Sequence, residues 1–80
     1  MARYLLHHRH EPEECGVVFA SFKGHDSPLR RQMTRGSCRT GGHEIWWTVK
    51  AGSEDDARRL LPYYVAARTT VTRVSEVQIP

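Results

Sequence analysis

Seven side chains able to hold a proton or a metal ion crowd between His7 and Cys15: His7, His8, His10, Glu11, Glu13, Glu14 and Cys15, in the run RYLLHHRHEPEEC. On an extended strand, residues two apart point the same way, so His8 and His10 share one side while His7 faces the other with Leu5 and Arg9. Two imidazoles at that spacing can chelate one ion. Cys15 follows in what reads as the first turn of a helix, where the dipole lowers a thiol pKa and favours the thiolate that binds metal. His43 heads a second strand, and antiparallel pairing with the first would bring it near His8 and His10. The expected metal set is therefore His8, His10, Cys15 and His43. Imidazoles with a thiolate suit nickel, zinc or copper better than magnesium or calcium. The competing reading is a strand whose exposed end carries solvated histidines, because the spacing matches no established metal signature. His25 beside Asp26 reads as a further ligand, as a base oriented by a carboxylate, or as a helix C-terminal histidine on the dipole. Cys38 can reach Cys15 or be a small, half-buried residue.

Trp46 and Trp47 are consecutive, so in a strand they face opposite ways. In HEIWWTVKA, Ile45, Trp47 and Val49 fall on one side, with Glu44, Trp46 and Thr48 on the other. If the first set packs under helices, Trp46 lies on an open face with Glu44 and with Tyr4 or His7 from the first strand. There it serves as dimer core or as the floor of a small-molecule pocket. Arg30, Arg31, Arg35 and Arg39 flank that region and can clamp a carboxylate or phosphate, or form a solvated loop. The expected ligand contacts are Trp46, Tyr4 and Arg39.

The elements that must position these residues follow from pattern and punctuation. Arg3 to His10 reads as a strand ended by Glu11-Pro12, since the residue before proline avoids the helical region. Pro12 suits a first helical turn, Glu13 and Glu14 favour the dipole, and Cys15, Val18, Phe19 and Phe22 recur on one helical face up to Gly24. Ser37 to Thr40 is expected to form a short strand, turned by Gly41-Gly42 into the strong strand. Ser53 and Asp56 are spaced like a capping box, and Pro62 should kink the helix that follows or end it and start another short one. Thr72 to Ile79 closes the chain as a strand. The order implies an α+β fold of ferredoxin-like βαββαβ type: one domain, 1–80, with two helices on one face of a four-stranded antiparallel sheet. The bare sheet face predicts a homodimer packed sheet to sheet.

With 80 residues, the chain can bury only about 60% of its unfolded surface, and such scaffolds lean on disulfides, a metal or oligomerisation. Two cysteines make no disulfide framework, and no apolar run with a cleavage site marks export, so the expectation is a cytoplasmic chain with free thiols. No apolar stretch nears the roughly 20 residues needed to span a bilayer. The formal charge is +3, and ten of twelve basic residues are arginine. That excess fits an anionic ligand but falls short of the clustered basic face of a nucleic-acid domain.

In the last third of the chain, EDDARRLL followed by TRVSEVQIP resembles the closing helix and strand of a family of small bacterial ferredoxin-like proteins of unknown function, some of them nickel-binding dimers. The resemblance implies a dimeric α+β barrel and metal binding. It transfers no ligand residue, because LLPYYVAARTT stands where the family has a histidine and a glycine, and HHRHEPEEC is foreign to it. Three functions follow: a protein binding a metal or small ligand; a cofactor-independent enzyme of the barrel type, monooxygenase or isomerase, with His8, His10, His43 and Glu76 as proton carriers; and an RNA-binding module stacking bases on Tyr4 and Trp46. The third lacks the aromatic K/R-G-F/Y-G/A-F run.

Overall fold

Strict alternation along two strands decides which way the chain folds. The computed structural model describes residues 1–80. Strand β1 (Ala2–Arg9) buries Tyr4, Leu6 and His8 and turns Arg3, His7 and Arg9 away. A single turn at Pro12–Glu14 leads into helix α1 (Cys15–Ala20), and β2 is only Arg35–Gly36. Strand β3 (Glu44–Ala51) buries Ile45, Trp47, Val49 and Ala51. Helices α2 (Glu54–Arg58) and α3 (Tyr63–Ala66) precede β4 (Thr69–Val74). The sheet is antiparallel in the order β2-β3-β1-β4, so the two long strands are central and the short ones form the edges. This is an α+β fold with a four-stranded antiparallel sheet and short helices.

The buried strand residues cluster with Val18, Ala57, Leu61, Val65 and Ala66, so all helices contribute to a core on one face of the sheet. Leu6, Val18 and Val65 are wholly enclosed, each burial worth about 1.5–3 kcal/mol. The opposite face carries Arg3, His7 and Arg9 of β1 against Lys50, Trp46 and Glu44 of β3.

Local chemistry fixes the joints. The Ser53 hydroxyl accepts the Asp56 N–H at 3.1 Å and starts α2. Pro62 separates α2 from α3, as its missing N–H requires. The Arg58 guanidinium donates to the carbonyls of Ala66 and Thr69 at 2.9 Å each, tying α2 to the start of β4. Between β2 and β3, Ser37 N–H donates to the Glu44 carbonyl (2.8 Å) and Glu44 N–H to the Ser37 hydroxyl (3.1 Å). Gly41 takes φ 88°, and a Cβ at Gly42 would fall 2.4 Å from Ser37 Oγ, so both glycines are required.

Three local expectations are corrected. Ser37 to Thr40 is no strand: β2 lies at Arg35–Gly36, and Cys38–Thr40 forms a tight helical turn closed by the Gly41 N–H. Phe19 is 55% exposed, because α1 ends at Ala20 and only Val18 of its apolar residues reaches the core completely. The last strand starts at Thr69 rather than Thr72 and stops at Val74, leaving Val77 and Ile79 exposed; its pairing with β1 ends at Arg3 opposite Val74.

Candidate metal centre

Four segments meet at one end of the sheet. His10 lies just past β1, Cys15 opens α1, Cys38 opens the turn after β2, and His43 immediately precedes β3. One ligand atom from each of His10, Cys15, Cys38 and His43 lies within 4.8 Å of all the others, a cluster that could hold a metal ion. His10 is 8% exposed, and the other three are half-buried. His10 Nε2 stands 3.7 Å from Cys38 Sγ, and the His10 and His43 rings meet edge to face with centroids 5.5 Å apart. Both cysteines are free thiols.

Each ligand is held from behind. The backbone N–H of His10 donates to the His43 carbonyl at 3.1 Å, which locks the two histidines together. His43 itself has φ 53°, a left-handed conformation that costs a branched-chain or bulky residue roughly 1–2 kcal/mol. Its Nδ1 is buried with no hydrogen-bond partner. Cys15 is placed through its neighbour. The Glu14 carboxylate accepts hydrogen bonds from the Tyr64 hydroxyl, the Arg68 guanidinium (2.9 Å) and the Glu11 backbone N–H (3.0 Å). Those donors, the Tyr64 hydroxyl above all, hold the Glu14 pKa down to about 2 and pin the start of α1 against α3.

His8 stands behind His10. It is completely buried, and both its ring nitrogens are engaged: Nε2 with His10 Nδ1 at 3.0 Å, and Nδ1 with the Val65 carbonyl and the Thr69 hydroxyl at 3.2 Å each. A carbonyl can only accept, and the Thr69 hydroxyl already donates to that same carbonyl at 2.7 Å. Proton placement then follows along the line: His8 carries its proton on Nδ1, its Nε2 accepts from His10 Nδ1–H, and His10 Nε2 is left with a free lone pair facing Cys38. Burial, reinforced by the neighbouring imidazole, lowers the pKa of His8 and of His10, which keeps both rings neutral. Burial and the nearby Cys15 sulfur raise the Cys38 thiol.

Of the residues singled out from sequence, the structure brings His10, Cys15 and His43 together, puts His8 one hydrogen bond behind them, and adds Cys38 as the fourth donor. His25 lies outside the cluster. Tyr4, Trp46 and Arg39 do not converge. Tyr4 is 7% exposed on the helix-covered face, because it alternates in phase with Leu6 and His8. Trp46 lies on the opposite face, stacked on His7 with ring planes 5° apart, while His7 Nε2 meets Glu44 Oε1 at 2.6 Å. Tyr4 and Trp46 therefore cannot form one stacking floor. Arg39 borders a cavity on the helix side, with Trp47. No helix is long and apolar enough to cross a membrane. No protein-family model, curated protein or solved structure matches the chain.

Proposed function

We propose that this is a small metal-stapled binding domain whose ion, zinc in the first instance, is held by His10, Cys15, Cys38 and His43. The observation that carries the reading is the convergence of two imidazoles and two thiols within 4.8 Å from four separate segments. Tetrahedral zinc, with bonds of about 2.0–2.1 Å to nitrogen and about 2.3 Å to sulfur, separates its ligand atoms by roughly 3.3–3.8 Å. The His10–Cys38 pair already stands at 3.7 Å, and the widest pair closes by about 1 Å as the ion draws it in. The partnerless, buried Nδ1 of His43 supports the same reading, since a metal gives that lone pair its partner.

Four protein donors leave no open position for a substrate or for an activated water, which makes the role structural. The ion would join the ends of β1 and β2 to the starts of α1 and β3, the kind of cross-link on which small scaffolds lean. Zinc is favoured over nickel and copper because a closed donor set of two thiolates and two imidazoles has tetrahedral demands that zinc meets without cost. The test is elemental analysis of untagged protein purified without added metal, then of Cys15→Ser and Cys38→Ser. One zinc per chain, lost in both variants, supports the reading; a metal-free wild type that takes up no zinc on titration removes it.

The finer architecture belongs to the same proposal. The order β2-β3-β1-β4, with helical segments following β1 and β3, supports the ferredoxin-like topology. Homodimer formation rests on the open face, where Leu5, Trp46 and Val74 are half-buried within one chain. Sedimentation at twice the 9.2 kDa of one chain is the expected result. A cytoplasmic location accords with two free thiols.

A further inference from the structure

Beside the candidate metal centre, on the helix-covered side of the sheet, lies an open cavity of about 580 Å³. Its floor is apolar: Phe22 and Trp47 meet with ring centroids 6.1 Å apart, and Ile45 lies alongside. Phe19 and Met33, 55% and 96% exposed, border it, so an apolar surface continues to the mouth. Around this floor stand Lys23, Arg30, Arg31 and Arg39, and no Asp or Glu lines the cavity.

Of the eight other basic residues, five are paired and three, Arg35, Lys50 and Arg73, are not. Arg3, Arg9, Arg58, Arg59 and Arg68 are all paired with carboxylates. None of Lys23, Arg30, Arg31 and Arg39 has a side-chain hydrogen bond or an ion pair, although Arg30 is half-buried. The wall that carries Arg30 and Arg31 is nevertheless built. Ser27 donates to the Leu60 carbonyl at 2.7 Å and accepts the Leu29 N–H at 3.1 Å, while Thr34 donates to the Trp46 carbonyl. Arg31 is held at φ 64°. A fixed loop thus presents unpaired guanidinium groups over an aromatic floor.

We infer that this cavity binds a small amphiphilic anion, an alkyl or aromatic carboxylate whose apolar body lies on Phe22, Ile45 and Trp47 and whose carboxylate meets the arginines. Its volume falls within the roughly 300–1,000 Å³ of small-molecule sites, which are likewise mostly apolar with a few placed polar groups. A guanidinium fork matches a carboxylate two-on-two, and that match is what an uncharged analogue forfeits. Cys38 touches both this cavity and the metal cluster, so an ion at the cluster would hold one wall in place, yet the anion's own contacts do not require it.

The test uses Trp46→Phe protein, in which Trp47 is the sole tryptophan, titrated with octanoate and with 1-octanol while Trp47 emission is followed. Saturable octanoate binding at least about tenfold tighter than octanol is expected from one charge-assisted contact. In Arg30→Gln/Arg39→Gln, with unchanged circular dichroism, octanoate should fall to the affinity of octanol while octanol itself is unmoved. No saturable response to octanoate overturns the inference, and so does equal binding of the two probes in the parent protein. Zinc content measured on the same samples separates the two proposals: octanoate selectivity in zinc-free protein sustains the cavity without the metal, and zinc-loaded protein deaf to octanoate does the opposite.

Discussion

His7 and His8 are neighbours in the chain and strangers in the fold. His7 faces the open side of the sheet, stacked on Trp46 and bonded to Glu44, with about a third of its side chain in water (34%). His8 faces the core, fully enclosed, with each ring nitrogen committed to one partner set. A strand's two-residue period is the whole cause of the difference. The consequence is chemical: one imidazole keeps an edge open to solvent, whereas one buried between a carbonyl and a second imidazole has its proton placed for it. The open face therefore carries a surface ion pair, and the covered face carries a line of oriented donors that ends at two thiols.

The comparison can be broken in four graded ways. The largest effect should come from the thiols: Cys15→Ser or Cys38→Ser abolishes stoichiometric zinc uptake in a competition titration against a chromophoric chelator. His8→Ala should come next. It leaves the four donors in place but removes the partner of His10 Nδ1, so zinc affinity drops about 10- to 100-fold, and urea unfolding of the metal-free protein shows a loss of about 1–3 kcal/mol from the buried group left unpaired. Thr69→Val keeps the Val65 carbonyl for His8 and removes the hydroxyl's contacts with His8 and with that carbonyl, so a loss of about 1–2 kcal/mol and a few-fold change in zinc affinity are expected. His7→Gln should be smallest, within about 1 kcal/mol in the same unfolding assay and without effect on zinc. Equal effects of the His7 and His8 substitutions on zinc would mean that His8 does not orient the site.

A pH series sharpens the same contrast. Zinc and protons compete for the same sulfur and nitrogen atoms, so uptake should weaken as pH falls and each binding event should release protons into a lightly buffered solution. The His8 and His10 pKa values, lowered by burial, act in the same direction on the metal-free fold. Both groups lie below their unfolded value of 6.5, so the unfolded chain binds more protons in that window. Stability is then fully present above pH 6.5 and lost as pH falls through the lowered folded values. His8→Ala should flatten that acid-side slope in unfolding midpoints measured between pH 7 and pH 5.

Much of this was readable from residue pattern alone. The alternation in HEIWWTVKA is clean because β3 is a central strand, with neighbours on both sides and one covered face; it put Ile45, Trp47 and Val49 on the side opposite Trp46, and the structure shows that the first set is the core. Ser53 announced the start of α2, and Pro62 the break before α3, through hydrogen bonds made or denied locally. Edge elements were less legible. β2 is two residues long, held by Ser37 and Glu44 rather than by an apolar pattern, and β4 is an edge strand of mixed burial whose threonines hide its period. The metal cluster was half visible. His10, Cys15 and His43 follow from the antiparallel neighbours β1 and β3 and the helix start between them. Cys38 joins only because a turn, not a strand, swings it back over His10, and no spacing rule encodes that approach. The signal that could have found it was elementary: two cysteines, and no disulfide framework, in a small chain of the kind that leans on a metal. His8 was read as a ligand from the same two-residue period that buries it, since periodicity gives a side chain's direction and not the partner it meets there.

The most direct test of the central claim is cobalt(II) substitution followed by visible absorption. Two thiolates and two imidazoles around one ion should give a single saturable site per chain, with intense tetrahedral ligand-field bands and sulfur-to-cobalt charge transfer that vanish in Cys15→Ser and Cys38→Ser. A weak octahedral spectrum without charge-transfer bands, or one identical in the cysteine variants, would show that these four residues do not close on a metal.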